Sequence, residues 1–539
     1  MNLILLIAIC AVLFLLAYRV YGRYIANKLN INDENTTPAH TERDGVDYVP
    51  SKTPMVLGHH FASIAGAGPI VGPIIAVSFG WIPAVLWIIF GGIFFGAVHD
   101  LTSLTASLRH KGKSIGELIE RYIGAFGKKL FIIFAFATLI LIIAVFMDIV
   151  ARTFVSVPAA ASASVGFILL AILFGIVFRW GKIPFWLLSV LGVAVMYGMI
   201  YGGIVFPLKL SYWTWILILL TYIFFAAVTP IQHLLQPRDY LNSYLLYGMI
   251  LFGFIGVIFA NPTAVMGNEI YFHVETLGFL FPVLFVTIAC GAISGFHSLV
   301  ASGTTSKQVN KESDAKMIGF GGMLIESMLA ILAVAAVMVM TRDQYMASLA
   351  DLGPVTLFSE GLGGFIATLG ISESLAISFV ALTVSAFALT TLDTCTRLAR
   401  FTFKEYFEKE TTSVKKVSEN RFLSTGMIAV LSTALLLTGQ FQELWPIFGS
   451  ANQLLAALAL LAVSVWLVKT DINPLFTLLP MAFMFAVTLT SLVIFVWNNL
   501  SDQNYILAAM ALALFFLALL LMNFARKSLR EYNLMGSKA

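Results

Sequence analysis

Seven side chains that can carry a proton or ligate a metal ion lie inside apolar runs of this 539-residue chain, where an unpaired charge is expensive. His59 and His60 open the run GHHFASIAGAGPIVGP, at 58–73. His99 and Asp100 share GAVHDLTSL, His297 lies in CGAISGFHSLVASGTTSKQ, and Asp393 lies in ALTTLDTCTRLARF. Glu326 sits near the centre of another apolar run. Imidazole and carboxylate are good transition-metal ligands and equally good proton-relay partners. Three roles are therefore open to His59, His60, His99, Asp100, His297 and Asp393: an internal hydrogen-bonded or salt-bridged network, proton coupling, or a bound metal. His59, His60, His99, Asp100 and His297 form the candidate metal set, and zinc is an example of what they would take.

The backbone beside the histidine pair is also unusual. Ala65, Gly66, Ala67 and Gly68 are followed by Pro69 and Pro73, within a run long enough to cross a bilayer. Interrupted backbone at membrane depth is tolerated only where protein or a water-filled cavity surrounds it. Secondary transporters place substrate and ion sites at such interruptions, because the freed amides and carbonyls become ligands. A packing kink would explain the same residues, since glycine and proline are common in membrane helices. A second candidate interruption follows Ala226 and Ala227 at Thr229 and Pro230, ahead of Gln232 and His233. Proline inside a helix removes one backbone hydrogen bond and sterically displaces another. Ser294, Ser298, Ser302 and Thr305 recur at helical spacing, and two readings are open for them. They form a small-cation site, with sodium as the candidate ion, or they are packing contacts between helices.

These groups need a scaffold, and composition identifies its class. Hydrophobic residues make up 59% of the chain and charged residues 11%, with a mean hydropathy of +0.92. Such a chain is an all-α polytopic membrane protein, since no soluble domain covers that much apolar surface with so few charges. Apolar windows fall near 2–21, 58–79, 81–106, 129–151, 162–178, 183–206, 212–235, 240–260, 277–303, 315–341, 373–396, 422–439, 450–468, 475–497 and 504–523. That makes about fifteen spans at bilayer length. With the N-terminus outside and the C-terminus cytoplasmic, only Arg152, Lys209 and Arg342 of the 32 basic residues remain outside. The first window has its charges after the apolar run and reads as a retained span rather than a signal peptide.

Two further segments do not read as spans. Ser114 to Lys128 places Ile115, Leu118, Ile119, Tyr122, Ile123 and Phe126 on one helical face, as in an amphipathic surface helix. Gly353 to Gly370 suits a re-entrant or outer-surface element. Cys10, Cys290 and Cys395 are far apart in apolar runs and read as buried thiols.

Counting from the second window, the seventh lies five later and enters from the opposite side. Two sets of five spans with inverted topology, each led by a broken helix, predict a 5+5 inverted-repeat transporter core. The first repeat would occupy 58–206 and the second 207–400. An extra N-terminal transmembrane helix and linker, 1–57, precedes them, and about four accessory helices and a tail, 401–539, follow. Substrate or ion contacts would come from Ala65, Gly66, Ala67, Gly68, Thr229, Ser294, Ser298, Glu326 and Asp393. No arginine is expected at the membrane centre, so an anionic substrate end would meet the exposed amides of a half-helix N-terminus.

Five motifs together, GHHFASIAGAGPIVGP, GAVHD, CGAISGFHSLVASGTTSKQ, TLDTCTRLAR and WPIFGSANQLLA, resemble the signature blocks of the carbon-starvation A family. The resemblance runs from about Pro54 to the end of the fifteenth window. It implies a bacterial inner-membrane carrier that takes up peptides or pyruvate during nutrient limitation. It also implies a core related to the amino acid–polyamine–organocation transporters. Peptide and pyruvate both stay open as substrates, as do proton and sodium as coupling ions. No enzymatic activity is expected, for no HExxH, GxSxG or phosphate-cradling loop accompanies the histidines. A channel or a membrane-embedded metal-dependent enzyme are the competing classes, and repeated filter sequences that would favour the channel are absent. The expected partners are the lipid bilayer and a small-molecule substrate, with no nucleic acid. Nothing in the sequence sets an oligomeric state.

Overall fold

The computed structural model describes residues 1–45, 47–229, 235–408, 413–438 and 441–536. It is an all-α membrane protein. Among the described residues, eleven helices are long and apolar enough to cross a bilayer, and one bent pair passes the same test jointly. Tyr212–Val228 and Arg421–Leu436 are shorter apolar helices. Every predicted window corresponds to a helix or to a pair of half-helices.

The second span is interrupted where its sequence suggests. Half 2a, Thr53–Ile64, ends at Ala65, and half 2b, Gly68–Ala76, leaves at a 47° bend. Pro69 stands in the first turn of 2b, where its missing N–H is not needed. The ninth span is interrupted as well, which the sequence reading missed. Half 9a, Leu280–Thr287, and half 9b, Gly295–Gly303, are separated by 288–294. The two interrupted spans meet at their breaks. A Cβ at Gly68 would lie 2.4 Å from Cys290 Sγ, and one at Gly72 only 2.3 Å from the Thr287 carbonyl. No other residue fits there without moving backbone.

This corrects the expected pairing of the second and seventh spans. The seventh helix ends at Val228 with Thr229 extended, and Pro230, Gln232 and His233 lie outside the described residues. Its packing partners are the fourth (Ala125–Ser156), eleventh (Glu373–Tyr406) and twelfth (Arg421–Leu436) spans. The ninth span is the one that meets the first break.

The fourth and eleventh spans are long, mostly buried and packed on each other at the centre. Both also support the seventh and the twelfth. The fifth and sixth spans, Pro158–Trp180 and Phe185–Val205, form a hairpin at the side. A short amphipathic helix, Ile115–Tyr122, is capped by Ser114 and buries Ile115, Leu118 and Ile119 against the fourth and thirteenth spans. Arg342–Ala367 bends at Gly353, where φ is +75°, ahead of Pro354. It begins at a capping box of Thr341 and Gln344 and is not among the candidate spans.

The linker between the first and second spans straps the loop after half 9b. The Val49 and Ser51 amides donate to the carbonyls of Lys307 and Gln308, and Thr37 Oγ1 donates to the Val309 carbonyl. Buried Glu312 accepts from Arg109, from the Asn32 amide at 2.9 Å and from Asn35 at 2.7 Å.

Candidate functional site

Half 9b, the third span, Trp81–Arg109, and the tenth, Lys316–Val337, bring four titratable side chains into one chain. A π-helical turn at Gly92–Gly96 precedes His99 in the third span, and another at Lys316–Gly321 precedes Glu326 in the tenth. Such turns displace the residues that follow them and are frequent at functional sites. His99 Nδ1 lies 2.7 Å from Asp100 Oδ1, and His297 Nδ1 lies 2.8 Å from Asp100 Oδ2. His297 Nε2 then faces Glu326 Oε2 at 3.4 Å. All four side chains are 0% exposed. His99 Nε2, Ser103 Oγ and Glu326 Oε1 have no hydrogen-bond partner among the described residues. His60, also buried, places Nδ1 2.8 Å from Thr305 Oγ1.

A second network forms at the start of the eighth span, Leu235–Ala260. Arg238 is 1% exposed and contacts both Asp393 and the Tyr222 hydroxyl. Tyr222 donates to Asp393 Oδ2 at 2.8 Å, and Arg238 also reaches Asp239 at 3.3 Å. His59 Nδ1 lies 3.5 Å from Asp239 Oδ2. Arg238 is therefore a buried arginine in the first turn of the eighth helix, where the sequence reading placed it in an inner loop. Arg397, likewise assigned to a loop, is buried and donates to the carbonyls of Ala226 and Thr229 at 3.0 and 2.7 Å.

The candidate metal set does not converge. His59 pairs with Asp239 and His60 with Thr305, whereas His99, Asp100 and His297 join Glu326. Among the described residues no group of three or more His, Cys, Asp or Glu side chains is arranged to hold a metal ion.

The remaining candidates fall in three places. Ala65, Gly66, Ala67 and Gly68 form the first break, where a Cβ on Gly66 would lie 2.5 Å from Thr391 Oγ1. Ser294 caps the gap before half 9b and contacts Asn452. Ser298 and Ser302 donate to the carbonyls of Gly295 and Ser298, both at 2.7 Å, so their hydroxyls serve their own helix. Thr229 lies apart, held by Arg397. Asp148, near the other end of the fourth span, pairs with Arg152 and accepts from Tyr212 at 2.5 Å.

On that other side of the breaks lies a cavity of about 920 Å³. Ile75 of half 2b and Thr287 of half 9a line it, together with Arg152, Tyr212, Asp351 and Trp445. None of His99, Asp100, His297 and Glu326 lines this cavity. Sequence reasoning also missed Tyr222, Asp239, Asn452 and Gln453. Asn452 and Gln453 stand in the WPIFGSANQLLA motif, whose two adjacent amides in an apolar run were the available signal.

Three comparisons place the chain among known proteins. The family model described as carbon starvation protein CstA matches residues 2–352 and 347–491. The "Peptide transporter CstA" of Escherichia coli (strain K12) is 33% identical, over 89% of this chain and 79% of its own length. The "Pyruvate/proton symporter BtsT" of the same organism is 30% identical, over 85% of this chain and 76% of its own. In fold, the chain is similar to a manganese transporter of Eremococcus coleocola, with a TM-score of 0.53 and 11% identity. That match covers 90% of this chain and 99% of the other.

Proposed function

The chain belongs to the carbon starvation protein CstA family and is a membrane transporter rather than an enzyme, and from that premise we propose that it is a proton-coupled carrier importing small carboxylates, peptides or pyruvate, during carbon starvation. The observation that carries the coupling is the chain His99–Asp100–His297–Glu326. Two imidazoles and two carboxylates are closed off from water, so their charges must balance among themselves, and they balance by holding protons. One proton gained or lost changes the net charge of a buried cluster, at a cost of several kcal/mol unless the surroundings move. That cost links protonation to conformation. His297 stands three positions beyond Ser294, so a change in its charge acts directly on the second break.

In this reading the Arg152-side cavity admits substrate from outside, with the N-terminus outside and the C-terminus cytoplasmic. The substrate carboxylate meets the N-terminal amides of half 2b beside the break, where the helix dipole favours negative charge. Protonation of the buried chain then accompanies closure of the cavity and opening on the opposite side.

The core is read as two inverted repeats in which the second and ninth, third and tenth, fourth and eleventh, seventh and twelfth, and eighth and thirteenth spans correspond. The fifth–sixth hairpin is inserted into the first repeat. Two facts support it: both fourth and eleventh spans carry the seventh and twelfth, and a helix that is not a candidate span precedes each of the two long ones. The boundaries of 58–206 and 207–400 give way to 53–260 and 280–469.

Reconstitution into liposomes tests the function. Labelled pyruvate and a labelled dipeptide are each offered under an inward proton gradient, an inward sodium gradient and neither. Accumulation driven by the proton gradient is expected for at least one substrate. Flux that follows sodium alone, or no flux of either substrate, defeats the proposal.

A further inference from the structure

An interrupted helix frees carbonyls at the end of one half and amides at the start of the other, and both need partners when buried. In the ninth span two adjacent side chains of the thirteenth span, Phe441–Lys469, meet both needs. Asn452 Oδ1 accepts from the Phe296 amide in the first turn of half 9b, at 2.9 Å, and its Nδ2 donates to Ser294 Oγ at 3.0 Å. Gln453 Nε2 donates to the Phe285 carbonyl at 2.6 Å and to the Ile288 carbonyl at 3.3 Å, at the end of half 9a. Both side chains are 0% exposed.

The backbones are pressed together at the same place. A Cβ on Gly449 would come within 2.2 Å of the Val286 carbonyl, and one on Gly295 within 2.3 Å of the Asn452 carbonyl. The thirteenth span is therefore in contact with both halves across the gap. At the first break the only side-chain bond from another span among the described residues is a long one, from Thr391 Oγ1 to the Ser63 carbonyl at 3.5 Å.

We propose that Asn452 and Gln453 are positioning residues that pin the two halves of the ninth span to the thirteenth, leaving the bend at Ala65–Ala67 as the hinge of the transport cycle. By fixing half 9b at Phe296, the clasp also sets His297 against Asp100. That second consequence rests on the proton reading above, whereas the pinning does not.

The two amides have opposite chemistry, which makes the inference testable with near-isosteric changes. Asn452 works as an acceptor toward Phe296, so Asn452→Leu removes that bond without adding a charge. Gln453 works as a donor, so Gln453→Glu turns an acceptor toward two carbonyls. Hydrogen exchange of the full chain in lipid nanodiscs is read by mass spectrometry over 285–297, alongside the pH profile of proteoliposome uptake. In the unsubstituted protein, 65–68 is expected to exchange faster than 288–296. Asn452→Leu raises exchange over 294–297, at the start of half 9b. Gln453→Glu raises exchange over 285–297 about tenfold or more, as loss of two buried hydrogen bonds implies, and displaces the pH profile. Gln453→Met, a milder change, gives the same direction should the glutamate variant fail to fold. Unchanged exchange over 285–297 in both variants, or faster exchange at the second break than at the first, overturns the clasp. Exchange is measured without flux, so a clasp that holds in a protein lacking proton-driven uptake condemns only the proton reading.

Discussion

In the chain His99–Asp100–His297–Glu326 every member is titratable, whereas the neighbouring cluster is built around Arg238, which stays charged at all accessible pH values. Both are buried, and both include carboxylates brought from different spans. The first has no fixed positive charge, so its proton count sets its net charge. In the second, the guanidinium is a permanent cation held by Asp393, Asp239 and the Tyr222 hydroxyl. The contrast assigns different work to two similar-looking sets of residues. A cluster of exchangeable protons suits a switch. An arginine-centred cluster suits a fastening between the seventh, eighth and eleventh spans.

The strongest way to break that comparison is to unpair the arginine cluster. Arg238→Met leaves the buried carboxylates of Asp393 and Asp239 without their cation and is expected to destabilise the protein by roughly 3–5 kcal/mol, more than Asp393→Asn, which leaves Arg238 beside Asp239. The loss is read as a lowered thermal midpoint in detergent or lipid. Arg238→Met combined with Asp393→Leu removes two of the three charges and should recover part of it, with Asp239 still left without its arginine. If Asp393→Asn is fully stable but abolishes the pH response of uptake, the two clusters have exchanged roles.

The switch cluster should behave the other way. His297→Gln and Glu326→Gln keep shape and polarity but remove an exchangeable proton, and His99→Ala shortens the chain at its far end. Proteoliposome uptake measured between pH 5 and 8 is expected to flatten in all three, with His99→Ala smallest, while thermal stability stays near that of the parent. A variant at His297 that keeps the full pH profile removes this residue from coupling.

The smallest expected effect separates the membrane clusters from the strap outside them. Hydrogen bonds from the Ser313 side chain and amide hold the Asp33 carboxyl below its usual range. A group whose folded pKa is depressed contributes stability above its unfolded value, about 3.9, and loses it as pH falls through the folded value. The tie between linker and loop is therefore intact across pH 5–8 and weakens only in acid below about 4. Exchange at the Ser313 amide should accelerate there, and Asp33→Asn should remove that acid dependence. Acceleration already at pH 6 would make the strap, rather than the buried chain, a contributor to the physiological pH response.

Much of this protein was legible along the chain because the causes are local. A run of apolar residues of bilayer length must be helical to satisfy its own backbone, so the spans could be read from hydropathy. The amphipathic face at 115–122 follows from a 3.6-residue period, and the first break follows from glycine and proline at Ala65–Pro69. Burial of His60, His99, Asp100 and His297 was implied by their apolar neighbours.

Tertiary structure alone decided who meets whom. His297 reaches Asp100 across 197 positions, and Arg238 reaches Asp393 across 155. Neither pairing leaves a periodic trace, because side chains on different helices meet through packing and not through spacing. The break in the ninth span was hidden for the same reason. Its one proline, Pro282, lies inside half 9a, ahead of the gap, and the interruption at 288–294 is held open by Asn452 and Gln453 from a helix far along the chain. Sequence thus determined which groups are buried and helical, since burial and helicity are properties of a segment. Their division into a proton-holding chain and an arginine-fastened cluster is a property of the packed bundle.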